Sequence, residues 1–133
     1  MPKRSTRPEI LFLREMVDAA SSIIELLGEL TPEQLNDDRR TRESILWNFT
    51  VLGEASTQLP QAFTASHAEI PWVKASLLRN RIVHGYWNIS TRIIRDTAEV
   101  NLPGLIESLK AAIQLLEKDG QSAHSPQEIE DQP

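Results

Sequence analysis

The sequence predicts an all-α protein, an antiparallel up-down bundle of four to five helices. Three observations lead there. Apolar residues recur every three or four positions through most of the chain. No run alternates apolar and polar residues for long enough to make a strand. Thr-Pro, Pro, Gly and Ser stand where such helices have to start or stop. At 133 residues the chain suits one domain, with a core that needs no metal or disulfide to be stable.

The elements follow in order. Residues 1–7 read as a flexible basic leader. Ile10, Leu13, Val17, Ala20, Ile24, Leu27 and Leu30 then share one helical face, while Arg14, Glu15, Asp18, Glu25 and Glu29 fall mostly elsewhere. Those charges exclude a signal peptide or a membrane span, which places the protein in the cytoplasm. Thr31-Pro32-Glu33-Gln34 has a capping threonine, proline at the first helical position and glutamine three residues after the cap, and opens one short turn. A second long helix near 38–58 carries Ile45, Leu46, Phe49, Leu52, Ala55 and Leu59 and ends at Pro60. Residues 60–70 read as a loop. Pro71 starts a third helix through Trp72, Val73, Ala75, Leu77 and Leu78, which Gly85 stops. Ser90 caps a fourth helix from Thr91, and Asn101-Leu102-Pro103 kinks or restarts it. The last segment carries Leu102, Leu105, Ile106, Leu109, Ile113 and Leu116. Residues 119–133 are polar and cannot offset their ordering entropy by burial, so they read as a disordered tail and the folded domain as 8–118.

The chain contains no cysteine, which excludes a disulfide scaffold, a cysteine zinc site, an iron–sulfur cluster and a thiol nucleophile. His67 and His124 have no partner pattern, and no cluster of histidines and carboxylates has ligand spacing, so no metal site and no cofactor are expected. The net charge of −5 argues against a protein that coats nucleic acid. That sum hides an asymmetry. Between residues 70 and 95 there is no Asp or Glu, while Lys74, Arg79, Arg81, Arg92 and Arg95 make the stretch +5 and leave −10 for the rest. Such a patch suits a phosphate-bearing ligand, although a basic helix face can also be merely solvated.

At its centre is Arg79-Asn80-Arg81-Ile82-Val83-His84-Gly85-Tyr86. Asn80 and His84 share a helix face, whereas Arg79 and His84 are about 140° apart around an ideal helix and do not converge within one copy. An imidazole at a helix C-terminus lies where the backbone dipole attracts a cation, and it suits proton transfer near neutral pH. The three tryptophans, Trp47, Trp72 and Trp87, read as core or interface packing rather than base-stacking platforms.

Arg79, four residues, His84, one residue, Tyr86 resembles the R-x-x-x-x-H-x-Y motif of the HepT-type toxins, a branch of the HEPN superfamily. Gly53-Glu54-Ala55, Ile70-Pro71-Trp72 and Leu102-Pro103-Gly104-Leu105 match three further elements of that family in order, across residues 10–116. Trp87-Asn88 departs from the commoner continuation of the motif. The resemblance implies a HEPN-like helical homodimer whose motif helices meet across the interface, and a metal-independent endoribonuclease. Arg79 would hold the scissile phosphate and His84 would move protons, with Asn80 orienting one of them and Arg81 and Glu54 in support. It also implies a minimal nucleotidyltransferase antitoxin as partner, which transfers AMP to Tyr86, the single tyrosine of the chain. A nucleotide there would place negative charge and bulk beside Arg79 and His84 and block RNA. The alternative is a non-catalytic helical module that binds a nucleotide or docks a nucleotidyltransferase.

Overall fold

The computed structural model describes residues 8–85 and 88–131. They form seven helices: α1 (Glu9–Leu27), α2 (Pro32–Asp37), α3 (Arg39–Thr57), α4 (Gln61–Ser66), α5 (Trp72–Gly85), α6 (Thr91–Val100) and α7 (Leu102–Asp131). Helix α1 packs between α3 and α7, α3 carries α5 on its other side, and α6 closes against α7, α2 and α1. No helix among the described residues is long and apolar enough to cross a membrane.

The buried face of α1 consists of Phe12, Leu13, Met16, Ala19, Ala20, Ile23 and Leu27. This corrects the expected face, because Ile10 and Val17 are only partly covered and Ile24 is exposed. The cause is that two helices flank α1, and the side they share lies about one residue N-terminal to the predicted stripe. Gly28 ends α1 at φ 49°, a left-handed conformation that costs a Cβ-bearing residue steric strain, and its amide donates to Ile24 O.

Helix α2 starts with the full capping box: Gln34 N donates to Thr31 Oγ1 at 3.1 Å, and Thr31 N donates to Gln34 Oε1 at 2.9 Å. Asp38 caps α3 by accepting from Thr41 N at 3.1 Å and from the Thr41 hydroxyl at 2.8 Å. These bonds, with the Thr41 hydroxyl foremost, hold the Asp38 carboxyl below its ordinary range. The apolar positions expected on α3 are all buried.

Residues 60–70 are not simply a loop, since they hold the short helix α4. Helix α3 ends at Thr57 with Gln58 as its cap, short of the expected Pro60, which instead is the cap residue of α4. Trp72 pins the segment down: its indole N–H donates to Thr64 O at 3.2 Å and His67 O at 3.0 Å, and its ring meets Phe63 edge-on at 6.2 Å. Ile70 is buried beneath it. The apolar-Pro-Trp element is thus an anchor that fixes where α5 begins.

Helix α5 packs chiefly on α3, and Ile82 is its fully buried residue. Val73 and Leu77, two of the apolar residues that mark this helix in the sequence, are exposed. A helix with one neighbour buries a narrow stripe, whereas the sequence pattern of α5 is apolar on more than one side. Ser90 caps α6 as predicted, its hydroxyl accepting from Arg92 N and Ile93 N. Helix α7 begins at Leu102, with Leu102, Leu105, Leu109 and Ala112 in the core and Pro103 in its first turn, where a missing N–H costs nothing. Glu117, Lys118 and Asp119 are exposed, and the helical backbone continues to Asp131 rather than breaking at the expected tail.

Candidate active site

The site is built where α3 and α5 come closest. A Cβ placed on Gly53 would stand 2.3 Å from Arg79 Cβ and 2.6 Å from Ala75 O. Only glycine lets the two backbones approach so closely. The next residue, Glu54, is then level with Arg79, and its Oε1 lies 3.1 Å from Arg79 Nε. Ala55 is buried behind them. In Gly53-Glu54-Ala55, then, the glycine permits the approach, the glutamate supplies the charge and the alanine packs the interior side.

Arg79 is held on two sides. Its Nη1 donates to Asn80 Oδ1 at 2.9 Å, and the carboxylate of Glu54 faces its Nε. That Nε is buried and the Glu54 contact is an ion pair without hydrogen-bond alignment. With 32% of its side chain exposed, Arg79 opens onto a cavity of about 460 Å³, walled by Phe12 and Glu15 of α1, by Trp47 and Glu54 of α3 and by Gln58 just beyond it. A guanidinium fixed in this way is prepared for a phosphate oxygen pair, because little of its rotamer freedom remains to be lost.

Trp47 is 66% exposed, which corrects any core role for it. It also lines a second cavity, of about 320 Å³, together with Ile82 and Val83. Val83 is 48% exposed. His84 lies one residue further on, exposed, and makes no hydrogen bond or ion pair among the described residues. The fold thus joins Arg79, Asn80 and Glu54 and leaves His84 across the surface of Asn80 and Val83, about 140° from Arg79 around the helix. Arg81 is placed elsewhere. It is about 200° from Arg79 and lines a groove with Lys74 on the opposite flank of α5. Tyr86, and Trp87 beside it, lie outside the described residues.

Of the five cations in residues 70–95, Arg79 pairs with Glu54, and Arg95 pairs with Glu99 at 2.9 Å. The locally basic stretch is thus partly neutralised by carboxylates from outside it. No group of three or more His, Asp or Glu among the described residues is placed to hold a metal ion. Sequence reading missed the Trp47–Val83 surface. The available signal was the helical angle: Trp47 falls on the face of α3 opposite Ile45 and Phe49, and Val83 lies between Arg79 and His84 on α5.

Comparison with known proteins gives a consistent answer. The family model of HepT-like ribonucleases matches residues 16–112. A candidate RNase of Methanocaldococcus jannaschii is 26% identical over 123 residues, covering 92% of this chain and 99% of that protein. A probable ribonuclease HepT of Thermococcus cleftensis is 28% identical over 94 residues, covering 71% of this chain and 86% of that protein. A candidate RNase of Caldanaerobacter subterraneus subsp. tengcongensis is 24% identical over 103 residues, covering 77% and 92%. No solved structure matches the chain.

Proposed function

Because the chain belongs to the HepT-like ribonuclease family, we propose that it is an endoribonuclease that acts as a homodimer through Arg79 and His84. The observation that carries this reading is the surface between those two residues. It holds Asn80, the exposed apolar Val83 and, on the neighbouring helix, the exposed Trp47. A large apolar ring in water next to a fixed guanidinium is what a second copy would cover. A two-fold docking there would bring the His84 of one copy towards the Arg79 of the other, which no single helix does.

In the cleft so formed, Arg79 binds the scissile phosphate and stabilises the charge that builds on its oxygens. His84 takes the proton of the 2′-hydroxyl or supplies one to the departing 5′-oxygen. The 2′-oxygen forms its bond to phosphorus as the bond from phosphorus to the 5′-oxygen breaks. The products are a 2′,3′-cyclic phosphate and a 5′-hydroxyl. Asn80, hydrogen bonded to Arg79, keeps the guanidinium oriented. Glu54 restrains it and screens it until a phosphate arrives.

The protein would act as the toxin of a toxin–antitoxin pair in the cytoplasm, where its RNA substrate is. A nucleotidyltransferase antitoxin that places AMP on Tyr86 would silence it, since the motif puts that residue two positions after His84. The test is direct. His84→Ala and Arg79→Ala each abolish RNA cleavage and growth inhibition while circular dichroism and the dimer mass stay unchanged. Full cleavage by a folded His84→Ala protein removes the assignment. Co-expression with the nucleotidyltransferase raises the intact mass by one or more AMP units, and Tyr86→Phe prevents it. A gain that persists in the Phe variant places the modification elsewhere.

A further inference from the structure

The opposite flank of α5 carries a groove that the nuclease reading does not use. Its volume is about 360 Å³. Leu77 and Leu78 of α5, Ile93 of α6 and Leu105 of α7 supply an aliphatic lining, and Lys74 and Arg81 stand two turns apart on α5 along it. No carboxylate lines it among the described residues. Leu77 is 60% exposed, and Ile93 is exposed too. Lys74 and Arg81 have no ion pair among the described residues, unlike Arg79 and Arg95.

We propose that this groove between α5, α6 and α7 docks an acidic amphipathic helix of a partner protein. Leucine-type side chains on one face of that helix enter the aliphatic floor, and its flanking carboxylates pair with Lys74 and Arg81. The two cations are seven residues apart, about 10 Å along the helix, which matches carboxylates two turns apart on the incoming segment. Two other occupants fit less well. Single-stranded RNA is favoured by an exposed aromatic that stacks a base, and among the described residues the exposed tryptophan, Trp47, is on the other flank. The proposed dimer places a second copy on the Trp47–Val83 surface instead, and to that extent the inference rests on that reading, although the lining of the groove includes neither Arg79 nor His84.

The experiment uses the full chain and a fluorescein-labelled synthetic amphipathic helix of about 15 residues with leucines on one face and glutamates flanking them. A matched peptide with lysines in place of the glutamates is the comparison. Anisotropy is expected to show the acidic peptide binding about tenfold or more tightly than the basic one, with affinity falling as salt rises. The double variant Lys74→Glu/Arg81→Glu reverses the preference. Leu77→Asp weakens the acidic peptide about tenfold or more while the mass of the dimer is unchanged. Equal binding of both peptides, or an unchanged preference in the charge-reversed protein, overturns the proposal. If Leu77→Asp yields monomers, the groove is an interface between copies and the proposal falls. If a fluorescein-labelled single-stranded RNA octamer binds wild-type protein more tightly than the acidic peptide does and loses that binding in Arg81→Glu, the groove belongs to RNA and the proposal falls likewise. Should Leu77→Asp fail to fold, the charge reversal at two surface side chains still decides.

Discussion

Gly53 has no room for a methyl group. The nearest atoms to an added Cβ include the Ala75 carbonyl at 2.6 Å, which is backbone and cannot swing aside. Gly53→Ala is therefore expected to destabilise the protein by about 1–3 kcal/mol and to displace Arg79, so that cleavage falls further than stability does. Urea unfolding and a cleavage assay on the same preparation separate the two effects. Glu54 is the opposite case. Its ion pair with Arg79 is half-exposed, so Glu54→Gln should change stability by less than about 1 kcal/mol. Any marked change in cleavage by that variant reports on how Arg79 is held, and a destabilisation well beyond that bound would contradict the exposed geometry. Asp38 caps α3 through its carboxylate. Its carboxyl is held low by bonds from Thr41, so it adds stability above its unfolded value, about 3.9, and loses it as pH falls through the lower folded value. Asp38→Ala should thus lower Tm near neutral pH, with the gap to the parent closing below about pH 4. A gap that persists at lower pH would rule out the charged cap as its cause.

At the scale of elements, α5 is the informative helix. It has one substantial neighbour, α3, and it separates two surfaces of different chemistry. One holds Arg79 and Val83, and the other holds Lys74, Leu77 and Arg81. Val83→Asp or Trp47→Ala should therefore leave the stability of the monomer within about 0.5 kcal/mol and dissociate the dimer, as light scattering would show. Dimers that persist in both variants would place the interface elsewhere. The core elements respond otherwise. Leu109, fully enclosed on α7, should cost about 2–5 kcal/mol when cut to alanine, because α1 and α6 cannot close on the space it leaves. The ends of the helices are well marked in the sequence, since caps depend on two to four adjacent residues. Thr31, Ser90 and Gly28 act within their own turns. Helix α4 is not legible there, because a six-residue helix has too few apolar positions for a period to emerge, and its anchor is the indole of Trp72 several residues further on.

For the whole molecule, Leu116 is the last residue of described burial that packs on the core, and a chain stopped after Lys118 is expected to keep its Tm and its cleavage activity. Loss of either would assign a role to residues 119–133. The helical class, the order of the long helices and the Arg79–His84 motif are legible without coordinates, because period, capping and motif spacing are properties of neighbouring residues. The faces are less so. Ile24, Val73 and Leu77 satisfy a helical period and yet stand in water, while Met16 and Ile23 are buried. Local features follow from the sequence: the caps at Thr31 and Ser90, the concentration of basic charge in residues 70–95, and the divergence of Arg79 and His84 on one helix. What only the tertiary structure decided is which sides of those helices have neighbours. It put Glu54 against Arg79, set residues of α6 and α7 beside Lys74 and Arg81, and left Trp47 bare. The physical reason is that burial and pairing depend on the second helix to arrive, and its position is fixed by contacts between residues distant in the chain, such as Gly53 with Arg79.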